Sequence, residues 1–319
     1  MYNQIALNKR KTFILIAIFI ALILVIGYAV SLISNGDPYL YLILALIFAL
    51  GSALTGYYSG DKMALWSAGA VPIQKEQNPY VYRMVENLCI ASGLPLPKVY
   101  LIPDPALNAF ATGRDPNHSS LALTTGIIEK LENEELEGVI AHELSHIKNY
   151  DIRIMTIVVA LAGTIVILSN FFLRANFFGG RRNNDNRNSG PIGMALFILG
   201  LVLILLSPII AQLIQLAISR RREFLADASG ALLTRYPAGL ASALQKISAY
   251  KQPMMNASNG TAHLFIANPF GSSGKKLAAL FSTHPPIEER VKALNEMIIK
   301  TANPKHEIRN TKQITNPKI

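Results

Sequence analysis

The sequence has little charge and almost no cysteine. Charged residues make up 16% of its 319 residues, against about 25% in typical soluble domains. Hydrophobic residues make up 51% and the mean hydropathy is +0.31, so the composition disfavours an ordinary soluble protein and indicates a membrane protein. The single cysteine, Cys89, excludes an intrachain disulfide and fits a reducing compartment.

Four long apolar runs without a charged residue account for this composition. They cover residues 12–33, 39–58, 154–173 and 191–218. Each is long enough to cross a hydrocarbon core of about 30 Å at about 1.5 Å per helical residue. The first run is too long for the apolar part of a cleaved signal peptide. For the last two runs, a buried helix of a large soluble core is the alternative, because polar residues and a proline interrupt them.

Basic residues predict how these runs are oriented. The basic cluster at 9–11 precedes the first run, whereas the loop at 34–38 contains no Lys or Arg. The positive-inside rule then places the N-terminus in the cytoplasm, and residues 59–153 return there after two spans. The loop at 174–190 is rich in arginine although this topology puts it outside. That conflict leaves open a shallow hairpin, formed by the last two runs, that does not cross the membrane fully.

One short motif carries most of the chemical information. His142-Glu143-Leu144-Ser145-His146 places two imidazoles four residues apart, with a carboxylate directly after the first. On a helix the two histidines project about 40° apart, which suits two neighbouring corners of a zinc tetrahedron. Glu143 is then placed to take a proton from a zinc-bound water. The motif predicts a zinc hydrolase, most simply a peptidase; the alternative is two surface histidines on an amphipathic helix.

The flanking residues predict that this motif lies on a helix. Acidic residues between 132 and 135 mark a helix start, with Asn133 as the N-cap. Apolar residues then follow at helical spacing, namely Leu136, Val139, Ile140, Leu144 and Ile147. At 100° per residue, the two histidines point about 120° away from the centre of this apolar face. We therefore expect them to face a cleft and not the core.

A catalytic zinc needs a third protein ligand and an open position. Glu223 is the best candidate, and Asp227 follows four residues later on the same helical face. That pair supplies one metal ligand and one carboxylate able to orient a ligand histidine. Two apolar runs separate Glu223 from His142, so both lie on one side of the membrane. The alternative is that Glu223 pairs with the arginines at 220–222 on a solvated helix end.

The segments around the motif predict a small α+β module. An edge strand containing Asn108-Ala-Phe-Ala-Thr-Gly could hold an extended substrate by main-chain pairing. A loop or linker is expected at 251–274. The expected helices are 79–92, 237–250 and 287–299, and the expected strands are 98–102, 107–112 and 119–124, with a turn at 113–118.

The net charge of +10 is concentrated towards the C-terminus. We expect this basic cytoplasmic part, lying beside a lipid bilayer, to contact anionic lipid head groups. No nucleic-acid-binding motif accompanies the charge, so nucleic acid is not expected as a partner.

Four motifs in this order resemble the HtpX membrane metallopeptidases, which are relatives of the CAAX prenyl endoproteases. They are the His-Glu-x-x-His helix, Glu223-x-x-x-Asp227, Asn108-Ala-Phe-Ala-Thr-Gly and Thr283-His-Pro-Pro, with two apolar runs between the zinc ligands. The resemblance covers nearly the whole chain. It implies a bacterial plasma-membrane protease, multi-pass, with its catalytic domain and both termini in the cytoplasm, that degrades misfolded or damaged membrane proteins.

The resemblance also implies roles for single residues. The zinc ligands would be His142, His146 and Glu223, the general base Glu143 and the residue that orients a ligand Asp227. Substrate backbone would bind at Asn108, Ala109 and Phe110, with His284 or Arg290 near the oxyanion.

The expected fold is a membrane α-helical protein with about four transmembrane helices and a cytoplasmic α+β zincin-like metalloprotease domain. Its expected parts are an N-terminal transmembrane hairpin at 12–58, a cytoplasmic part with the zinc motif at 59–153, a second transmembrane or membrane-embedded hairpin at 154–218, a cytoplasmic part with the third ligand at 219–300 and a basic tail at 301–319.

The expected function is peptide hydrolysis at the cytoplasmic membrane surface by an endopeptidase with one Zn²⁺ per chain. A CAAX-type processing protease is one alternative. An intramembrane metalloprotease is a second, disfavoured because charged residues flank the motif on both sides. A scaffold with a structural zinc is a third, disfavoured by the lone Cys89, since structural sites are closed by four ligands that usually include cysteine.

Overall fold

The computed structural model describes residues 2–178, 194–195, 197–203, 220–258, 260–271 and 285–302. Within these ranges, long apolar helices adjoin a helical domain built on a small sheet. The fourth apolar run lies largely outside the described residues, as does most of the arginine-rich loop before it. A fourth span and the orientation of the chain in the membrane therefore stay predictions.

Three helices in the described ranges are long and apolar enough to cross a membrane. They are α1 (Tyr2–Ser34), α2 (Pro38–Ser67) and α6 (Asp151–Phe178). Their candidate spans are Ile5–Ser34, Pro38–Ser67 and Asp151–Arg174. Each covers one of the first three apolar runs, which confirms those runs as helices. Large apolar side chains such as Phe13 and Ile47 are exposed on them, as expected of a surface that meets lipid.

The three membrane helices pack on one another around α6. A Cβ added at Gly56 of α2 would lie only 2.7 Å from the Cβ of Ala160 in α6, so glycine permits this close crossing. Apolar side chains of all three helices form one cluster, which includes Phe19, Ala49 and Ile157. As a result, α6 is held firmly against the N-terminal hairpin.

A four-stranded sheet forms the base of the remaining domain. Its strands are β1 (Val71–Pro72), β2 (Lys98–Ile102), β3 (Ala109–Asp115) and β4 (His118–Thr124). The spatial order is β1-β2-β4-β3, with β2 and β4 parallel and the other two pairs antiparallel. This order makes β3 an edge strand of the sheet.

The expected strands are confirmed with small shifts of their ends. β2 has the expected bounds, β4 begins at His118, and β3 runs from Ala109 to Asp115. The turn between β3 and β4 is shorter than expected, because Asp115 pairs with His118 across it. β1 was not expected, since two residues are too few to show the alternation that marks a strand.

Six more helices complete the described fold. They are α3 (Pro79–Ser92), α4 (Thr125–Lys130), α5 (Asn133–Lys148), α7 (Arg220–Thr234), α8 (Pro237–Ala249) and α9 (Ile287–Ala302). The expected helices at 79–92, 237–250 and 287–299 are confirmed, as is the helix that carries the zinc motif. A short 3₁₀ turn, Ala262–Leu264, lies inside the segment expected to be a loop or linker.

The expectation that Asn133 caps α5 is wrong by one residue. Glu132 occupies the cap position, and its backbone N–H donates to Oε2 of Glu135 at 2.8 Å. Asn133 is the first helical residue, and its Oδ1 accepts a hydrogen bond from the hydroxyl of Tyr80 at 3.0 Å. Acidic side chains in the first turn complement the positive end of the helix dipole.

The main apolar core encloses the expected face of α5. Leu136, Val139 and Ile140 are fully buried there against side chains of the sheet, α3 and α8. This packing fixes the rotation of α5 about its own axis. The opposite side of α5, which carries the two motif histidines, is thereby turned towards α6, α7 and α9.

Candidate metal centre

Glu223 reaches the motif because α7 packs directly along α5. A Cβ added at Gly230 of α7 would lie 2.9 Å from the backbone nitrogen of His142, so only glycine allows this approach. The close contact brings the first turn of α7, which carries Glu223, over the two histidines. The expected convergence of His142, His146 and Glu223 from distant parts of the chain is present in the structure.

Three side chains bring potential ligand atoms to one point. Nε2 of His142 lies 3.1 Å from Nε2 of His146. The Glu223 carboxylate lies 3.9 Å from Nε2 of His142 through Oε2 and 3.7 Å from Nε2 of His146 through Oε1. All three residues are buried. The group therefore offers two nitrogen ligands and one oxygen ligand to a single ion.

Each histidine is oriented by a carboxylate on its other ring nitrogen. Nδ1 of His142 lies 2.9 Å from Oδ1 of Asp227, as the sequence pattern predicted for Asp227. Nδ1 of His146 lies 3.0 Å from Oδ2 of Asp151. When Nδ1 donates its proton to a carboxylate, Nε2 presents a lone pair, which is the state needed to bind a metal. Both rings therefore direct a lone pair to the same point.

Arg290 holds Asp227 in place. Its Nε and Nη2 donate to the two carboxylate oxygens of Asp227 at 2.8 and 2.7 Å, the two-pronged geometry that favours arginine over lysine. Nη2 also lies 3.5 Å from the ring of His142. The resemblance implied a place for Arg290 near the substrate oxyanion, whereas in the structure two of its nitrogens are engaged with Asp227 and the side chain is fully buried.

The charges of the site shift its pKa values in opposite directions. Burial raises the pKa of Asp227, but the charge and hydrogen bonds of Arg290 outweigh it and lower that pKa to about 2. Burial lowers the pKa of His146, but the hydrogen bond that its Nδ1 donates to Asp151 and the charge of Glu223 raise it to about 9. Asp227 is therefore ionised at neutral pH.

Both motif histidines are buried, and the expectation that they face a cleft stays a prediction. His142 has none of its surface exposed and His146 has 3%. The reason is charge pairing: Asp151 and Asp227 satisfy the imidazoles, so the polar side of α5 can be covered by neighbouring helices without leaving unpaired groups.

Glu143 is buried within the same group of charges. Its side chain is 2% exposed, and its charge contributes to raising the pKa values of both His146 and Arg290. A carboxylate this close to the ligand cluster is placed to exchange protons with water there. His284, the other residue expected to take part in catalysis, lies outside the described residues.

The segment expected to bind substrate contacts another part of the same chain. The side-chain amide of Asn108 donates to the carbonyl of Ala267 at 3.0 Å, and its oxygen accepts from the N–H of Ala267 at 3.3 Å. The carbonyl of Ala109 accepts from the N–H of Ile266 at 3.0 Å. Phe110 packs edge-to-face on Phe265, with ring centroids 5.0 Å apart.

Residues 265–267 thus lie along the start of the open edge of β3. At the other end of the strand, the N–H of Gly113 donates to the hydroxyl of Thr156 in α6 at 3.0 Å. Among the described residues, these contacts occupy both ends of the outer edge of β3, which narrows the room for an extended substrate to pair with its backbone. The segment expected at 251–274 as a loop or linker is therefore partly packed on the sheet, since Phe265 and Ile266 are buried.

The donor set fits zinc. Two bonds of about 2.0–2.1 Å at the tetrahedral angle place ligand atoms about 3.3–3.4 Å apart. The two Nε2 atoms are 3.1 Å apart, and Glu223 brings one oxygen to 3.9 Å from His142 and the other to 3.7 Å from His146. Two imidazoles and one carboxylate are typical of catalytic zinc sites, which leave a position for water. Two lone pairs only 3.1 Å apart also repel unless a cation or proton lies between them.

Asp151 was missed as a site residue. Two further polar residues, Asn8 and Arg222, contact it and were missed as well. Asp151 directly precedes an apolar run, so the sequence presents it as a charge that ends a membrane helix. Its position five residues after His146 is the one available signal, because a single turn of chain can bring it back to that ring.

Comparison with known proteins gives a consistent result. Residues 75–298 match peptidase family M48. A "Protease HtpX homolog" of Caldanaerobacter subterraneus subsp. tengcongensis is 45% identical over 301 residues, which cover 94% of this chain and 98% of the relative. A protein of the same description from Tropheryma whipplei is 45% identical over 297 residues, 93% of this chain and 98% of the relative.

One solved structure has a weaker similarity. The crystal structure of S. mikatae Ste24p aligns with a TM-score of 0.49 and 19% sequence identity, covering 92% of this chain and 67% of that chain. A similarity of this size transfers no property to the present chain.

Proposed function

This chain belongs to peptidase family M48 and is a membrane metallopeptidase, and from its geometry we propose that it is a zinc endopeptidase acting at the cytoplasmic surface of a bacterial plasma membrane. The observation that carries the proposal is the convergence of His142, His146 and Glu223, with both imidazoles oriented by carboxylates. One Zn²⁺ per chain is the expected cofactor.

The residues of the site divide the reaction between them. Zn²⁺ bound by the three ligands would supply Lewis-acid chemistry for peptide hydrolysis. Glu143 accepts a proton from the attacking water at its carboxylate and returns it to the leaving amine. Asp151 and Asp227 keep the two imidazoles oriented, and Arg290 keeps Asp227 ionised and in place.

The site is built at the end of a membrane helix. α6 begins at Asp151, which contacts His146, and continues directly into a candidate span. The side chain of Asn8 in α1 donates to the carbonyl of Asn149 at 2.9 Å. The N-terminal end of α1, next to the basic cluster at 9–11, is therefore on the same side of the membrane as the site. That proximity supports a cytoplasmic site by the positive-inside rule.

A site at this position favours membrane proteins as substrates. Their loops and ends at the cytoplasmic surface come within reach of the metal, whereas segments inside the bilayer do not. We propose misfolded or damaged membrane proteins as the physiological class, with the lipid bilayer as the surrounding partner. The bacterial origin of the similar proteases supports the proposed location.

The test is the variant Glu143→Gln in the full-length chain, with unfolded casein as substrate. It keeps the size of the side chain and removes its ability to accept a proton. We expect the cleavage rate to fall by about 10²–10⁴-fold, with zinc content equal to that of the wild type.

A matched control is Glu137→Gln, on the same helix but outside the ligand cluster, which should cleave at the wild-type rate. Cleavage by Glu143→Gln at the wild-type rate, with zinc bound, would contradict the assigned role.

A further inference from the structure

The first membrane helix carries a buried polar side chain near its cytoplasmic end. Asn8 lies within the candidate span Ile5–Ser34 of α1 and has none of its surface exposed. A buried amide without hydrogen-bond partners destabilises the folded state. Its contacts therefore indicate why an amide is found here.

Both ends of the Asn8 amide are engaged. Nδ2 donates to Oδ1 of Asp151 at 2.7 Å and to the carbonyl of Asn149 at 2.9 Å. Oδ1 accepts from Nη1 of Arg222 at 3.3 Å. These partners belong to the start of α6, the end of the zinc-motif helix and the first turn of α7. A single side chain thus joins α1 to the three segments that form the metal centre.

The contact with Asp151 falls on a defined oxygen. Oδ2 of Asp151 faces Nδ1 of His146 at 3.0 Å. Oδ1 faces Asn8 at 2.7 Å and Nε of Arg222 at 3.3 Å. With one oxygen held by an amide and a guanidinium, the carboxylate cannot rotate freely, so the other oxygen stays aimed at the imidazole.

The two ligand histidines are therefore supported in the same way from opposite sides. His142 is oriented by Asp227, which Arg290 holds. His146 is oriented by Asp151, which Arg222 and Asn8 hold. The difference is that the second support includes a residue of a membrane span.

We propose that Asn8 is a positioning residue of the metal centre, acting through Asp151 on His146, so that α1 is a working part of the site and not only an anchor. The proposal rests on the zinc function proposed above. Its consequence is that a displacement of α1 in the bilayer changes the orientation of a metal ligand.

The test measures zinc affinity of the full-length chain in detergent, by competition with a chromophoric chelator. Replacing residues that orient a metal ligand typically weakens metal binding by 10–100-fold. We expect Asn8→Ala to weaken zinc binding about tenfold and to shift the visible absorption bands of the Co²⁺-substituted protein. Thr12→Val is the control, because Thr12 is buried one turn further along α1 and, among the described residues, its hydroxyl donates to the carbonyl of Asn8 and not to the metal centre.

A double-mutant cycle separates positioning from general packing. If Asn8 acts through Asp151, then Asn8→Ala should add no further loss of affinity once Asp151→Asn is present. A structural role of Asn8 elsewhere would give losses that multiply in the double variant, and that result would overturn the proposal, as would wild-type zinc affinity of Asn8→Ala.

If Asn8→Ala does not fold, Asn8→Leu decides the question, because it keeps the approximate size of the side chain and removes the donor to Asp151 without adding a charge. Unchanged zinc affinity of Asn8→Leu would overturn the proposal, and a loss similar to that of Asp151→Asn would support it. Failure of the zinc function itself would look different, since the wild type would then bind no stoichiometric zinc.

Discussion

At the level of single residues, two rows of contacting charged side chains hold the metal centre. Each runs from a buried arginine through an aspartate to the Nδ1 of a ligand histidine: Arg290, Asp227 and His142 on one side, and Arg222, Asp151 and His146 on the other. A buried carboxylate costs free energy unless a cation and hydrogen bonds compensate it. The arginines provide that compensation at both aspartates, and the charge of Arg290 lowers the pKa of Asp227 to about 2 against the opposing effect of burial.

Replacement of Arg290 tests the row formed by Arg290, Asp227 and His142. In Arg290→Lys, the charge is kept but the two parallel bonds to Asp227 are lost, because an ammonium cannot span both oxygens. We expect zinc affinity and kcat/KM each to fall by about tenfold or more. Chelator competition measures the zinc affinity and a peptidase assay on the same preparation measures kcat/KM. Wild-type values of both would show that the two parallel hydrogen bonds from Arg290 to Asp227 are dispensable.

Much of the site could be predicted at this scale and part could not. The spacings of His142 to His146 and of Glu223 to Asp227 reflect local helical geometry, which a sequence shows directly. The contacts of Asp151 with Asn8 and Arg222 join residues far apart in the chain. No local periodicity encodes such contacts, so they appear only once the helices are packed.

At the scale of the elements, α5 is fixed at its start as well as at its metal-binding end. Glu135 in its first turn accepts hydrogen bonds from Ser242 at 2.6 Å and Lys246 at 2.7 Å, both in α8. Burial raises the pKa of Glu135, but these bonds and the one from the N–H of Glu132 outweigh it and lower that pKa below its usual value. The pair therefore ties α5 to α8 most strongly when Glu135 is ionised.

A pH-dependent stability difference follows from this pair. Glu135→Gln should lower the free energy of unfolding by about 1 kcal/mol at pH 7. The pKa of Glu135 is lower in the folded state than in the unfolded state. Its stabilising contribution is therefore fully present above the unfolded-state pKa of about 4.3 and is lost as the pH falls through the folded-state pKa. Thermal unfolding in detergent should show the gap between wild type and variant closing below about pH 4.

The control for this prediction lies two residues away. Burial and the neighbouring charge of Glu134 raise the pKa of Glu137, so Glu137→Gln should not destabilise the protein at pH 7. Equal destabilisation by both variants would mean that the Lys246 pair contributes nothing specific.

The elements differ in how well the sequence predicts them. α3, β2 and the apolar face of α5 were predicted because each has a strong local period or a proline at its start. The packing of residues 265–267 on the edge of β3 was not, since a segment rich in Asn, Ser and Gly has no period to read. Its few apolar residues, among them Phe265, become informative only beside Phe110.

At the scale of the whole molecule, the membrane helices and the metal centre form one structure. α6 packs against α1 and α2 within the spans and supplies Asp151 at its first residue. The first three apolar runs of the sequence correctly predicted long apolar helices, whereas nothing in them predicted that a span would contact the site. We therefore expect that removing α1 impairs the metal centre as well as membrane anchoring.

X-ray absorption at the zinc edge is the measurement that shows whether one zinc ion is held by His142, His146 and Glu223. Purified full-length protein should contain one zinc per chain, with two imidazole nitrogens at about 2.0–2.1 Å, oxygen for the remaining ligands and no sulfur at about 2.3 Å. In Glu223→Ala the zinc content or the oxygen coordination should change. A sulfur ligand, or a spectrum unaltered by Glu223→Ala, would contradict the account.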